Sequence, residues 1–293
     1  VPFAIGTETW GSIHCPSSFN GITGLRPTAG RVSRGGAMAL SWTMDKIGPM
    51  ARSAADCALV LREIAGVMPA DGTTLGQPET SADDRRNGFR IGLLKGSIAA
   101  SAPGVAANTA AAVEALREIG TVEEIELPDL PWDDAASIII MCEAASAFES
   151  FLERGDGLKL TAPEDRTGLY HALVVPAIDY LKAMRLRSHG AAEMAKLLAG
   201  YDALIAPAYP VTPPPAEGNF EAYFDKHPGV SLSAMGNLLG LPSIAVPTGL
   251  DSDGLPSSLE ILTTWWAEPT AVAIASAYQS KTTWHTAKPP LFA

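Results

Sequence analysis

RIGLLKGSIAASAPGVAANTAAAVEALREIGTVEEIEL, residues 90–127, changes character twice. Arg90–Leu94 is a short apolar run of strand length, Val105–Gly120 reads as a helix, and Thr121–Leu127 returns to a strand pattern. Strand, helix, strand in that order is the mark of the α/β class, and it predicts a mixed sheet covered by helices on both faces, an α/β/α sandwich.

The flanking segments continue the theme. Asp133–Gly155 reads as one long helix with Asp134 as its cap, and residues 176–200 as one or two more. Tyr201–Pro207 is an apolar strand that breaks at a proline cluster, and a helix follows around Ser231–Gly240. A strand (Ser243–Leu250), a turn (DSDGLP, 251–256), a strand (Ser258–Leu262) and a helix (Thr270–Gln279) complete the pattern. Toward the N-terminus, Ser53 is placed to cap a helix that ends before Gly66. Its Ala54, Cys57, Ala58, Leu61 and Ile64 recur at helical spacing. Residues 30–42 and 69–87 read as loop, Gly21–Leu25 as a short strand, and Pro16–Ser18 as a helix entry. Val1–Ile5 is apolar and fits a short buried strand.

The chain has 293 residues, enough for a sizeable core, with 47% hydrophobic and 18% charged residues, which points to a packed globular protein. A net charge of −11 opposes nonspecific phosphate binding, so nucleic acid is not an expected direct partner. Three widely spaced cysteines (Cys15, Cys57, Cys142) form no CxxC pair, which argues against a disulfide framework and fits a reducing, cytoplasmic setting. The five histidines lack ligand spacing, so neither a metal nor another cofactor is implied. No apolar run approaches the roughly 20 residues that span a bilayer.

The chemistry concentrates in GTETWGSIHCP, residues 6–16. A strand followed by a turn through Thr7, Thr9 and Gly11 exposes backbone N–H groups beside Ser12, and side-chain-free Gly11 lets a carbonyl approach the backbone. A serine needs a base and oxyanion donors before it attacks a carbonyl, and this geometry suits acyl transfer. Read from spacing alone, Gly-Ser after a strand is equally an ordinary turn.

Residues 6–61 resemble the amidase signature family, whose members carry GT(D/E)TxGSI, a GLKPT-like segment and an LDxIGPM-like segment; here these are GTETWGSI, GLRPT and MDKIGPM. Near the C-terminus, the DGLP turn and KTTWH extend the resemblance. It implies that Ser12 is the nucleophile of an amidohydrolase, with the oxyanion held by backbone amides of Thr9, Trp10, Gly11 and Ser12. It implies no cofactor, and a small-molecule amide as partner; a homodimer stays open. Trp10 stands where many relatives have Gly or Asp, and its indole is expected to narrow the space beside the turn. His14 stands where many have Arg. In an extended segment its Cβ would lie about 7 Å from that of Ser12, at roughly 3.3 Å per residue, so a structural role is expected.

Relatives activate the nucleophile through a second serine in a GGSSGG-like segment and an upstream lysine, and residues 1–293 contain neither motif. The chain is therefore expected to be the C-terminal two-thirds of an amidase signature domain that covers all of 1–293. Lys46 and Lys95 are the in-chain candidates for a substitute base; Lys46 reads more simply as a surface or ion-paired residue and Lys95 as solvated. Glu143 and Glu149 are expected on a solvated or salt-bridged helix face. Two other functions stay open: an amidotransferase A-type subunit that releases ammonia from glutamine for a tRNA-modifying partner, and a noncatalytic fragment or pseudoenzyme.

Overall fold

Residues 1–76, 83, 85–163, 165–217 and 220–288 are described by a computed structural model. Their strands are β1 (Phe3–Glu8), β2 (Thr23–Arg26), β3 (Lys46–Ala51), β4 (Phe89–Leu94), β5 (Gly120–Ile125), β6 (Ala203–Pro207), β7 (Ser243–Leu250) and β8 (Pro256–Leu262). All eight join one sheet in the order β1, β3, β2, β7, β8, β6, β4, β5. The pairs from β1 through to β6 are antiparallel, whereas β6, β4 and β5 run parallel. The sheet is thus mixed, as expected. Parallel strands need a crossover; between β4 and β5 it is the helix α3 (Pro103–Arg117).

The other helices are α1 (His14–Phe19), α2 (Ala54–Ile64), α4 (Trp132–Ala147), α5 (Glu149–Glu153), α6 (Asp165–Ala172), α7 (Ala177–Leu198), α8 (Phe220–Asp225), α9 (Ser233–Leu239) and α10 (Glu268–Lys281). Strand β6 shows how they divide. Ala203 and Ile205 point into a core shared with α2, α3 and α10, while Leu204 and Ala206 point into a second core shared with α4, α7 and α9. Successive strand residues face opposite sides, so a strand covered on both faces is apolar throughout. Each fully buried Leu or Ile here contributes about 1.5–3 kcal/mol. A charge at Ile205 would break the layer.

Local signals set several boundaries. Ser53 caps α2 by accepting a hydrogen bond from the Asp56 N–H at 3.1 Å. At the β7–β8 turn, Asp251 Oδ1 accepts from the N–H groups of Asp253 and Leu255, each at 2.9 Å. Residues 176–200 yield one continuous helix, α7.

Several expectations are corrected. β1 starts two residues later than expected and runs three residues past Ile5, so that Thr7 pairs within the strand rather than turning, and it is not buried: it pairs only with β3 at the sheet edge, and Phe3 and Ile5 are each 47% exposed. Asp134 caps nothing; α4 begins at Trp132, so Asp133 and Asp134 lie within its first turn, where their charge complements the N-terminal dipole. The long helix breaks at Phe148, whose backbone leaves helical geometry between α4 and α5. Helix α1 also starts two residues before the expected entry at Pro16. Part of the 69–87 loop lies outside the described residues.

Candidate active site

Between the end of β1 at Glu8 and the start of α1 at His14, the chain turns through Thr9–Ile13. Gly11 has φ +89°, and a Cβ there would overlap the Tyr209 hydroxyl, so backbone angle and space both require glycine. The Gly11 carbonyl accepts the Cys15 N–H at 2.7 Å, continuing the α1 hydrogen-bond pattern backward into the turn. Ser12 is exposed. Among the described residues, the N–H groups of Trp10, Gly11 and Ser12 donate to no protein acceptor. A surface serine therefore sits beside three available main-chain donors.

The inner side of the same turn is a buried ionic network. Glu8 Oε2 accepts from the N–H groups of Ile13 at 2.8 Å and His14 at 3.0 Å, and from His14 Nδ1 at 3.0 Å. Its Oε1 accepts from Arg26 Nη1 at 2.8 Å. Arg26 is itself fully buried and reaches Glu260 at 3.2 Å and the Leu241 carbonyl at 3.1 Å. Burial opposes the charge on Glu8, yet His14, Arg26 and Lys46 hold its carboxyl well below the usual carboxylate range. One carboxylate so fixes the start of α1, and with it the position of Ser12.

Two more contacts brace Thr9. Its hydroxyl donates to Asp45 Oδ1 at 2.5 Å, and its carbonyl accepts from Lys46 Nζ at 3.4 Å. Asp45 Oδ2 in turn accepts the N–H groups of Leu40 at 2.8 Å and Ser41 at 3.0 Å. The Ser41 hydroxyl donates to Glu143 at 2.5 Å, which also accepts from the Thr43 N–H, the Thr43 hydroxyl and the Tyr180 hydroxyl. The loop before β3 is thereby held between the turn and α4.

Ser12 lies exposed in the turn, beside the N–H groups of Trp10, Gly11 and its own. Thr9 is buried, and its described bonds are those of its hydroxyl and carbonyl. The Trp10 indole is half-buried against the second core. His14 is structural: its ring lies between Glu8 and the Ser243 hydroxyl, 3.0 Å from Nε2. The reason is helical placement in α1 rather than an extended segment.

Lys46 is neither superficial nor ion-paired with Asp45: it is 2% exposed and faces the carbonyls of Thr9 and Asn237. Burial, then the positive charge of Arg26, pushes its ammonium well below the usual lysine range. Glu143 is not solvated but buried among four donors, because its face of α4 packs on the loop before β3; Glu149 is exposed. Lys95 is exposed and pairs with Glu126 at 2.7 Å. Cys15 is half-buried, with burial pushing its thiol up to about 11.

Sequence reasoning passed over Glu8, Arg26, Glu260 and Ser243. The available signal was a charge set inside an otherwise uncharged strand, as in TGLR and SSLEIL. A cleft of about 910 Å³ runs between α2 and α10 and does not include Ser12. Beside Gly11 lie the Tyr209 hydroxyl and Ser233, and Tyr209 packs on Phe19 with ring centroids 5.4 Å apart. Among the described residues, no group of three metal-ligating side chains occurs, and no helix is long and apolar enough to cross a membrane.

Residues 1–272 match the family model described as Amidase. The chain is 33% identical over 320 residues to the A subunit of glutamyl-tRNA(Gln) amidotransferase from Acinetobacter baumannii, covering 98% of this chain and 64% of that protein. Among solved structures, the native peptide amidase of Stenotrophomonas maltophilia is similar at 31% identity and a TM-score of 0.81, covering 99% of this chain and 63% of that one. The A subunit of glutamyl-tRNA(Gln) amidotransferase from Thermotoga maritima is similar at 25% identity and a TM-score of 0.77, covering 96% of this chain and 63% of that one. The chain thus spans a little under two-thirds of these relatives' length.

Proposed function

The chain belongs to the amidase family, and from that premise we propose that the whole protein hydrolyses a carboxamide C–N bond through Ser12. Its Oγ attacks the carbonyl carbon, and the C=O π electrons move onto oxygen. The N–H groups of Trp10, Gly11 and Ser12, with Thr9 at the edge of the turn, receive that oxyanion. Collapse expels the amine, which leaves with a proton, and water then cleaves the acyl-enzyme to a carboxylate and free Ser12. The observation that carries the reading is an exposed serine next to three N–H groups without a protein acceptor.

Within residues 1–293 no base is assigned. Lys95 is held by Glu126, and Lys46 is enclosed against two carbonyls. The family resemblance supplies a second serine and a lysine for that task. In the full-length protein, Ser12→Ala should abolish burst release of amine from a chromogenic anilide and lower kcat by about 10³-fold or more. Undiminished turnover overturns the reading.

A second reading, an A-type subunit feeding ammonia to a tRNA-modifying partner, is favoured by the 33% identity to a protein of that name. Glutamine hydrolysis that appears only with companion subunits would select it; turnover of other amides by the protein alone selects the free amidase. The same proposal treats residues 1–293 as one domain, supported by the single sheet running from Phe3 to Leu262. It sets the protein in the cytoplasm, supported by three free cysteines. A homodimer is the assembly to test, by sedimentation of the full-length protein.

A further inference from the structure

Position 46 sits inside the family's LDxIGPM-like segment at its variable place, and here it holds a lysine. A lysine only 2% exposed is an unusual choice, because burying an amine costs energy unless its donors are used. Its surroundings explain the use. Lys46 begins β3 and is registered opposite Glu8, the last residue of β1, so its side chain reaches one residue further, to Thr9. Nζ lies 3.4 Å from the Thr9 carbonyl oxygen and 3.3 Å from the Asn237 carbonyl oxygen near the C-terminal end of α9. The amine keeps N–H donors whether or not it is protonated, so it can hold both carbonyls in either state.

The Thr9 carbonyl belongs to the same peptide unit as the Trp10 N–H. A trans peptide is planar, and its C=O and N–H point in opposite directions. Among the described residues no peptide bond is cis. Drawing the Thr9 oxygen inward to Lys46 therefore turns the Trp10 N–H away from the interior, and that N–H meets no protein acceptor.

We infer that Lys46 is a positioning residue for the oxyanion site: from inside the fold it fixes the Thr9–Trp10 peptide plane, so that the Trp10 N–H faces the carbonyl oxygen of a bound amide. The inference rests on the reading of Ser12 and its turn as the acyl-transfer site. Lys46 touches neither substrate nor nucleophile and is not offered as the base.

The test uses the full-length protein with Lys46→Met, which keeps length and removes the donors, and Lys46→Gln, which returns a donor. Lys95→Met, at an exposed lysine, serves as the control. Removing an oxyanion donor outright lowers kcat by about 10²–10³-fold, and releasing its orientation should lower it by about 10- to 100-fold. Lys46→Met should therefore lose kcat with KM unchanged. It should weaken binding of a peptide aldehyde, a transition-state analogue, by the same factor as kcat/KM. Lys46→Gln should recover part of both, and Lys95→Met should match wild type.

Near-wild-type kcat in Lys46→Met overturns the inference. So does a loss in both Lys46 variants that tracks their folded fraction by thermal unfolding, or a rise in KM that accounts for the whole effect. Failure of the underlying reading looks different: Ser12→Ala would then retain turnover, whatever the Lys46 variants do.

Discussion

Two buried carboxylates, Glu8 and Glu143, each gather four donors, and they differ in what those donors are. Glu8 takes two backbone N–H groups, the His14 ring and the Arg26 guanidinium. Glu143 takes one backbone N–H and three hydroxyls. A hydroxyl can turn to another acceptor. A buried guanidinium cannot shed its charge, so losing the Glu8 carboxylate leaves Arg26 with Glu260 as its one remaining ion-pair partner among the described residues. The same geometry thus makes one site indispensable to the turn beneath Ser12 and the other a brace for a neighbouring loop.

The sharpest way to break that comparison is to neutralise each carboxylate. Glu8→Gln should cost about 3–5 kcal/mol by urea unfolding, the range for breaking a buried ion pair. Glu143→Gln should cost about 1–2 kcal/mol, the scale of a few weakened neutral hydrogen bonds. Equal costs would show that the partners' charge does not matter.

Acid should separate the two in the same direction. Because the folded pKa of Glu8 is depressed, its stabilisation is fully present above the ordinary value of 4.5 and is lost as pH falls from there through the folded value. Unfolding free energy measured from pH 6 downward should therefore fall less steeply in Glu8→Gln than in wild type. A parallel decline in both proteins would remove Glu8 as a source of acid sensitivity.

A smaller effect tests whether the two regions communicate. Thr9 bonds Asp45, and Asp45 holds the Ser41 backbone whose hydroxyl reaches Glu143. Thr9→Val and Ser41→Ala should each cost about 1 kcal/mol, with a coupling of about 0.5 kcal/mol in the double mutant. Strict additivity would mean that the loop does not transmit between them. Smallest of all is the stability of Lys46→Met, which should equal or slightly exceed wild type at pH 7. Its lowered folded pKa means that folding works against protonation at every pH below the ordinary 10.5.

Elements governed by neighbours in sequence were legible from the chain. Ser53 caps α2 through Asp56, three residues on, and the DSDGLP turn is closed by Asp251 onto its own next residues. The alternation at residues 90–127 carried the parallel part of the sheet. What escaped depends on partners far away. Lys46 answers to a carbonyl 191 positions later, and Glu143 to a hydroxyl 102 positions earlier. Nothing local distinguishes such a charge from one in water. Ser12 was legible only as a family motif, since a Gly-Ser turn by itself is common. The network that presents it joins Glu8 to Arg26 and Arg26 to Glu260 across 18 and 234 positions. The apolar run in β1 misled for a related reason: what covers a strand is decided elsewhere.

That first strand has a practical side. Its outer backbone edge carries no partner among the described residues, and Phe3 and Ile5 are half open. A naked, greasy rim of this kind recruits other strands. The 293-residue polypeptide handled by itself should accordingly self-associate as its concentration rises, and charged replacements at Phe3 and Ile5 should keep it dispersed.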